Sequence, residues 1–306
     1  MAISFAPLTT SVGTSVQGVD LRSPLDKATA QSLRAELARR GVLIFRGQHL
    51  DTEQQKSVAS AFGPLEPSPS RKMFGLDDPV RIIQREVFAA RDDSATPQAY
   101  QRSEEFQAWH VDDTFCPQIP DVATLRPEAL SPAGGDTCWA NMAAVFESLS
   151  PAMQDWLEGL TGIHAAPANF RATVNYSALS KEEQQRFEEQ SIGRHPLVIR
   201  HPVSGQRILF ANPTYTTAIE GLSARESRML LRFLFTEATR PDFIYRHHWE
   251  MGDLVMWDEL TTMHLGPEDF PAERRLVRIY AGLTRPTAAS GPRSNQDRPR
   301  SAAGRV

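Results

Sequence analysis

The hydrophobic positions along the chain predict many short strands. Residues 42–45, VLIF, form a continuous apolar run, as in a strand that is buried on both faces. After Trp109, short apolar segments alternate with turns that contain Pro and Gly, which is typical of a sheet sandwich or barrel. The strands predicted there are Ala123–Leu125, Asp136–Ala140, Leu197–Arg200, Ile208–Asn212, Asp253–Trp257 and Val277–Leu283.

Helical spacing appears in separate segments between these strands. In Pro24–Arg40 the apolar residues recur every three or four positions, with Ser23 as the expected N-cap and Gly41 as the expected stop. Asp51 is expected to cap a second helix that ends near Phe62. Four more helices are predicted, at Met142–Leu149, Pro151–Leu160, Lys181–Gln190 and Ala224–Thr239. The pattern therefore predicts a mainly β fold with flanking α-helices.

Three segments lack periodicity and define the expected domain organisation. Residues 67–78 are predicted to be a loop. Residues 85–107 are polar and aperiodic, and loops of this length inside a compact domain are usually functional or disordered, so we expect an inserted active-site loop. Residues 286–306 are rich in Pro, Ser, Ala and Arg and are expected to be a disordered tail. Residues 1–285 would then form one domain.

Composition excludes several classes of protein. The chain has 306 residues, of which 41% are hydrophobic and 23% charged, which is ordinary for a globular protein. With 33 Lys and Arg against 37 Asp and Glu, the net charge is −4, so no global basic field favours nucleic acid or an anionic membrane. No apolar run approaches the ~18 residues of a membrane span.

The N-terminus and the cysteines favour a cytoplasmic location. The first ten residues, MAISFAPLTT, carry no basic residue before their apolar stretch, so a secretory signal is not expected. Two cysteines, Cys116 and Cys138, are too few for a disulfide framework and are expected to be buried, unreactive thiols.

Three pairs of a His and an acid separated by one residue are candidate metal ligands, because such residues share one face of a strand. Roughly one pair is expected by chance. The pairs are His49–Asp51, His110–Asp112 and His248–Glu250. The first coincides with an expected helix N-cap and the third leads into a turn. The pair at 110–112 is favoured, and His264 lies downstream of it.

Four motifs surround these candidate ligands: WHVDDTF at 109–115, GGDTCW at 134–139, WDELTTMH at 257–264 and RRLVR at 274–278. Together they resemble the TauD/TfdA family of Fe(II)- and 2-oxoglutarate-dependent dioxygenases, which includes taurine and aryloxyalkanoate dioxygenases. Similar segments at 18–25, 40–48, 62–67, 195–212 and 219–227 extend the resemblance through nearly the whole chain before the tail. It implies a double-stranded β-helix, or jelly roll, with flanking helices.

The resemblance implies a metal centre and a reaction. His110, Asp112 and His264 would bind Fe(II) as a facial triad that leaves positions for 2-oxoglutarate and O2. The expected reaction oxidises a C–H bond of a small organic substrate and releases succinate and CO2, with hydroxylation as the default. Desaturation, decarboxylation or cyclisation in natural-product biosynthesis remain alternatives. Asp112 stands where a halogenase would have Gly or Ala, which argues against halogenation.

The resemblance also implies a pocket for 2-oxoglutarate. Arg binds carboxylates through a planar fork, and Arg274 and Arg278 would share one strand face. We expect Arg278 to bind a carboxylate of 2-oxoglutarate, with a hydrogen bond from Thr137, and Arg274 to share that task or face the substrate. Trp249 would line the pocket or pack as a core aromatic. Arg275 is expected at the surface.

Asp113 is the candidate substrate-contacting residue, because an acid beside the metal carboxylate could bind a cationic or amine-bearing substrate. The alternative is a solvated or structurally paired Asp. Residues 67–78 lack the His-and-Tyr pair of taurine enzymes, which argues against taurine. We expect His164, His195 and His201 at loops or strand edges, without a role.

A second class of function is a metal-binding jelly-roll protein without catalysis. Loss of one of the three candidate ligands would have favoured that class, and none is lost. The expected partner is a small-molecule substrate, and a homo-oligomer remains open.

Overall fold

A computed structural model describes residues 2–73, 75–84, 106, 109–166, 179–267, 269–270 and 273–289. Its strands are β1 (Ser4–Pro7), β2 (Thr14–Gln17), β3 (Val42–Phe45), β4 (Leu65–Glu66), β5 (Val80–Gln84), β6 (Ile119–Ala129), β7 (Thr137–Asn141), β8 (Thr161–Ala165), β9 (Ile192–Pro196), β10 (Val198–Arg200), β11 (Arg207–Leu209), β12 (Thr216–Ile219), β13 (Ile244–His247), β14 (Leu254–Asp258), β15 (Thr262–Leu265) and β16 (Arg275–Thr284). Its helices are α1 (Lys27–Arg40), α2 (Thr52–Ser60), α3 (Pro69–Lys72), α4 (Met142–Ser148), α5 (Pro151–Leu157), α6 (Lys181–Gln190) and α7 (Ala224–Ala238), with a short 3-10 turn at Pro241–Phe243. The predicted mainly β fold with flanking helices is confirmed.

Two sheets build the part of the fold that holds the candidate site. The main sheet has the order β1-β2-β3-β14-β6-β16-β4, and β5 also pairs with β16. A smaller sheet has the order β13-β7-β15. Side chains of both sheets meet in one buried cluster, in which Trp139 of the smaller sheet packs with Trp257 and Tyr280 of the main sheet. Two sheets packed over a shared core are the arrangement of a jelly roll.

Alternation along the central strands explains why both faces of the main sheet are buried. In β14, Val255 and Trp257 point into the cluster between the sheets. Leu254 and Met256 point to the other face, where they pack in a cluster that includes Leu33 and Leu37 of α1 and Val58 of α2. A strand covered on both faces has a continuous apolar sequence, as β3 and β14 do.

The ends of the helices follow local capping chemistry. Asp26, and not the predicted Ser23, caps α1, because its carboxylate accepts hydrogen bonds from the amides of Ala28 and Thr29. Gly41 ends the same helix as predicted, with a left-handed φ of 77°. Asp51 caps α2 as predicted.

The prediction of a loop over residues 67–78 was wrong in part. Ser68 caps the short helix α3, and Pro69 occupies its first turn, where a missing amide hydrogen costs nothing. This helix brings Ser68 and Ser70 into the buried interior.

The predicted insertion at 85–107 lies outside the described residues, apart from Phe106, as does the tail from residue 290 onward. The predicted disorder from residue 286 was wrong for 286–289. The amide of Arg200 donates to the carbonyl of Thr287, and that of Ala289 donates to Val198, so the chain continues along the edge of β10.

Cys116 and Cys138 are both free and buried, as expected. Burial raises the pKa of Cys138 to about 11, which keeps this thiol protonated. None of the helices in the described ranges has the length and apolar character needed to cross a lipid bilayer.

Candidate metal centre and cosubstrate pocket

His110 and His264 are placed side by side by their backbones. Each amide donates to the other residue's carbonyl oxygen, at 2.9 Å for His110 and 2.7 Å for His264, which forms an isolated antiparallel bridge. Directly opposed residues in such a bridge project their side chains to the same side. The two imidazole rings consequently lie with their centroids 4.2 Å apart.

Asp112 completes a compact set of candidate metal ligands. Its carboxylate oxygens lie 3.6 Å from Nε2 of His110 and 3.7 Å from Nε2 of His264. One ligand atom from each of the three residues lies within 4.8 Å of the other two. No other such group of His, Cys, Asp or Glu occurs in the ranges that the structure describes. The donor chemistry, two imidazoles and one carboxylate, fits Fe(II) with open positions.

Two donors from β16 hold the Asp112 carboxylate. Oδ2 accepts hydrogen bonds from Nη1 of Arg278 at 2.8 Å and from the hydroxyl of Tyr280 at 2.7 Å. Burial alone would raise the pKa of Asp112, but the charges of Arg278 and the two histidines and the bond from Tyr280 outweigh it and lower this pKa. The carboxylate is therefore ionised and fixed in orientation, as a metal ligand must be.

The surroundings also favour neutral imidazole at His264. Burial and then the neighbouring His110 lower its pKa far below the usual value, although Asp112 opposes this shift. A neutral imidazole is the form that binds a metal ion.

Glu259 lies next to Asp112. Its two oxygens accept hydrogen bonds from the indole NH of Trp257 at 2.7 Å and from the amide of Asp112 at 3.1 Å. Burial and then the nearby Asp112 raise the pKa of Glu259. Glu259 thus joins the end of β14 to the segment that carries Asp112.

Thr137, Trp249 and Arg274 form a second polar cluster near the first. The hydroxyl oxygen of Thr137 accepts hydrogen bonds from the indole NH of Trp249 at 3.0 Å and from Nη2 of Arg274 at 3.4 Å. Burial lowers the pKa of Arg274 to about 10, so it is cationic at neutral pH. Thr137 is its only hydrogen-bonding side chain within the described ranges, and its Nε is buried without a partner there.

The two arginines near the candidate metal centre contact different groups. Arg274, and not Arg278, lies beside Thr137, whereas Arg278 is paired with Asp112. Arg275 is partly exposed and forms an ion pair with Glu128, as expected for a side chain on the opposite face.

Asp113 is largely shielded from solvent. Its left-handed φ of 58° turns the chain directly after Asp112, and the residue is buried. Its carboxylate accepts a hydrogen bond from the amide of Ser70 at 3.4 Å. Burial and then Asp112 raise its pKa, while the hydroxyls of Ser70 and Ser68 lower it. These contacts favour the structurally paired alternative over binding of a cationic substrate.

The other two His-x-acid pairs belong to no group of three candidate metal ligands among the residues that the structure describes. His248 hydrogen-bonds Asp136 at 3.0 Å, while Glu250 is largely exposed and lies 3.5 Å from Arg46. Asp51 is occupied as the α2 cap.

His164 lies in the central strand β8 and not at an edge as expected, whereas His195 lies in the edge strand β9 and His201 directly follows β10, as expected. All three are buried. His164 lies 3.0 Å from the hydroxyl of Thr114, and His201 lies 2.9 Å from Asp258. Their partners come from distant segments, so the local sequence could not reveal them.

Comparison with known proteins identifies the family of the chain. Residues 4–280 match the sequence profile described as taurine catabolism dioxygenase TauD, TfdA family. The chain belongs to this family. A curated relative, the alpha-ketoglutarate-dependent 2,4-dichlorophenoxyacetate dioxygenase of Cupriavidus pinatubonensis, is 33% identical over 91% of this chain and 97% of its own length.

Solved structures show the same relationship. A taurine dioxygenase from Burkholderia xenovorans has a TM-score of 0.75 and 31% identity, over 94% of this chain and 91% of that chain. AAD-2, crystallised with Mn(II) and N-oxalylglycine, has a TM-score of 0.74 and 26% identity, over 94% of this chain and 100% of that chain.

Membership of the TauD/TfdA family establishes the class of chemistry. The chain is a dioxygenase that uses Fe(II), 2-oxoglutarate and O2 to oxidise a small molecule, and it has the double-stranded β-helix fold.

Sequence analysis missed two residues of the site. Tyr280 follows Arg278 by two positions and so shares its strand face, a signal that could have found it. Glu259 directly follows the WD dipeptide of the third motif, but nothing in its spacing indicates its contact with Asp112.

Proposed function

We propose that His110, Asp112 and His264 bind Fe(II), that Arg274 and Thr137 bind the distal carboxylate of 2-oxoglutarate, and that the enzyme hydroxylates a C–H bond of a small organic substrate. Succinate and CO2 are the co-products. The observation that carries the proposal is that ligand atoms of His110, Asp112 and His264 lie within 4.8 Å of one another. The buried Arg274, which lacks a carboxylate partner in the described chain, adds a site for the cosubstrate.

The residues around Asp112 support the iron site. Bound Fe(II) supplies the oxidising chemistry by activating O2 together with 2-oxoglutarate. Arg278 and Tyr280 hold the metal carboxylate, which limits its rotation before the metal arrives. Mutation of residues that hydrogen-bond to a metal ligand commonly lowers metal affinity 10- to 100-fold.

The hydrogen-bonding capacity of Thr137 supports the 2-oxoglutarate site. A hydroxyl has one donor and two acceptor positions, and both acceptor positions of Thr137 receive donors, from Trp249 and Arg274. Its proton is therefore available for a further acceptor. A carboxylate placed there accepts from Thr137 and neutralises Arg274, whose burial without an anion is costly. In this arrangement Trp249 orients Thr137.

The default outcome is hydroxylation, with desaturation, decarboxylation or cyclisation as alternatives that share the same metal and cosubstrate. The two free cysteines support a cytoplasmic location. The relative that acts on 2,4-dichlorophenoxyacetate makes aryloxy acids the first compounds to try, together with amino acids and natural-product intermediates.

The test is succinate release from 2-oxoglutarate over that panel. Asp112→Ala should abolish turnover, whereas Glu250→Ala, which changes the exposed acid of the rejected pair, should retain it. Activity that survives Asp112→Ala and is lost in Glu250→Ala would refute the assignment. Metal binding without succinate release from any compound would instead favour the alternative class, a binding protein.

A further inference from the structure

His247 adjoins the polar cluster that Thr137 forms with Trp249 and Arg274, but it belongs to neither the metal ligands nor that cluster. It is the last residue of β13 and pairs directly with Thr137 of β7. Its imidazole is fully buried. The ring lies against the indole of Trp249, with the two centroids 4.8 Å apart and the planes nearly perpendicular at 88°.

Two hydrogen bonds fix the orientation of the His247 ring. Nε2 lies 3.0 Å from Oδ2 of Asp253, and Nδ1 lies 3.1 Å from the hydroxyl of Tyr245. Because a carboxylate only accepts, Nε2 donates to Asp253, and Nδ1 of the neutral ring accepts from Tyr245. Burial lowers the pKa of His247, although its hydrogen bond to Asp253 opposes the shift, and this favours the neutral ring. Turning the ring would break both bonds.

Asp253 is itself held in place and also fixes the backbone next to Trp249. Oδ2 accepts hydrogen bonds from Nη1 of Arg46 at 2.6 Å and from the amide of Glu250 at 2.9 Å. The amide of Asp253 donates to the carbonyl of Glu250 at 3.1 Å, which closes the turn directly after Trp249. One buried carboxylate therefore supports both the ring of His247 and the turn that follows the indole.

The orientation of Trp249 matters because an indole has a single donor. Its NH reaches the hydroxyl oxygen of Thr137 at 3.0 Å in the observed orientation. Perpendicular aromatic pairs are a favoured geometry, so the His247 ring stabilises this orientation of the indole. Without that ring the indole could rotate, and one acceptor position of Thr137 would lose its donor.

We propose that His247 is a positioning residue for 2-oxoglutarate, because its ring fixes the indole of Trp249, which in turn orients the hydroxyl of Thr137 toward the distal carboxylate of the cosubstrate. This inference rests on the proposed function, which places the cosubstrate at Thr137 and Arg274. His247 acts only through the indole. It therefore affects the affinity for 2-oxoglutarate and not the affinity for Fe(II).

The test is a calorimetric titration of 2-oxoglutarate into the complete protein, loaded with Fe(II) under anaerobic conditions. His247→Leu should raise the Kd about two- to tenfold, the range expected for loss of one aromatic contact. Trp249→Phe removes the donor itself and should weaken binding at least as much. In the double variant the loss should not exceed that of Trp249→Phe alone, because the two residues act in sequence. The affinity for Fe(II) should stay within about twofold.

His201→Leu is the matched control, because His201 is another buried histidine whose Nε2 lies 2.9 Å from a buried aspartate, Asp258. The hydroxyl of Thr262 donates to the carbonyl of Asp258, and Thr262 pairs with Asn141 of β7. Asn141 is four positions from Thr137, which is about 13 Å along a strand. The control should lower the melting temperature and leave the affinity for 2-oxoglutarate unchanged.

Tyr245→Phe provides a second variant in case His247→Leu does not fold. Tyr245 is only half-buried, and the change removes a single hydroxyl that donates to His247. It should raise the Kd for 2-oxoglutarate about twofold in the native background. The same change should have no effect when Trp249→Phe is already present.

Three outcomes overturn the inference. The first is an unchanged affinity for 2-oxoglutarate in Tyr245→Phe and in folded His247→Leu. The second is an equal further loss when these changes are made in the Trp249→Phe background, which would indicate a merely structural role. The third is an equal loss in the His201→Leu control. If the native protein loaded with Fe(II) did not bind 2-oxoglutarate at all, the proposed function itself would be refuted.

Discussion

Replacing Arg274 should separate cosubstrate binding from folding. Its guanidinium is buried, and Thr137 is the one side chain of the described ranges that hydrogen-bonds it. Gly135 packs against its aliphatic stem, and the ring of Phe270 lies 5.5 Å from the guanidinium carbon. Arg274→Met keeps most of this apolar packing and removes only the charge. Removal of an unpaired buried charge should not lower the free energy of unfolding.

The expected loss appears in the binding of 2-oxoglutarate. A hydrogen bond to a charged group contributes about 1.5–3 kcal/mol, which corresponds to roughly 10- to 150-fold in affinity. Arg278→Met should instead lower the free energy of unfolding, because it leaves the buried Asp112 without its cation. Breaking a buried ion pair costs about 3–5 kcal/mol of stability.

Calorimetric titration with 2-oxoglutarate and thermal unfolding of each variant measure the two effects. Arg274→Met should raise the Kd for 2-oxoglutarate and keep the melting temperature, and Arg278→Met should lower the melting temperature. The role of Arg274 would be refuted if its variant bound 2-oxoglutarate as tightly as the native protein while Arg278→Lys, which keeps a cation, bound it at least tenfold more weakly.

Three further changes follow from contacts near the site. Tyr280→Phe should weaken Fe(II) binding about tenfold in a metal titration, and an unchanged affinity would contradict its role. Gly135→Ala places a Cβ 2.7 Å from Cδ of Arg274 and should raise the KM for 2-oxoglutarate, whereas Gly205→Ala, with a similar φ but open space, should not. Burial lowers the pKa of His164, so between pH 7 and 5.5 this histidine binds a proton more readily in the unfolded chain than in the folded one. The melting temperature should therefore fall as the pH is lowered from 7 to 5.5, and it should fall less steeply in His164→Asn.

The strands and helices that build the core could be predicted because the pattern of apolar residues in each segment indicates which of its faces are buried. Val42–Phe45 and Leu254–Trp257 are apolar on both faces, and the structure buries both faces. The N-cap of α1 was misplaced because Ser23 and Asp26 both carry suitable oxygens, and only the observed hydrogen bonds to the amides of Ala28 and Thr29 decide between them.

The grouping of His110, Asp112 and His264 could be predicted from motif and spacing, whereas the contact of Arg274 with Thr137 could not. Arg274 and Arg278 are four residues apart, which is about 13 Å along a strand, so they reach different groups even on one face. The register between β16 and β6 also shifts between Arg275 and Leu276. Which of the two arginines contacts Thr137 depends on this register, which the sequence does not show.

Metal binding tests the central claim most directly. Titration of the complete protein with Mn(II), followed by electron paramagnetic resonance, should show one tight site in the native protein and in Glu250→Ala. That site should be lost in both Asp112→Ala and His264→Ala, with the melting temperatures recorded to show that each variant is folded. If folded Asp112→Ala and His264→Ala bound Mn(II) as tightly as the native protein, the metal centre would lie elsewhere and the account would be contradicted.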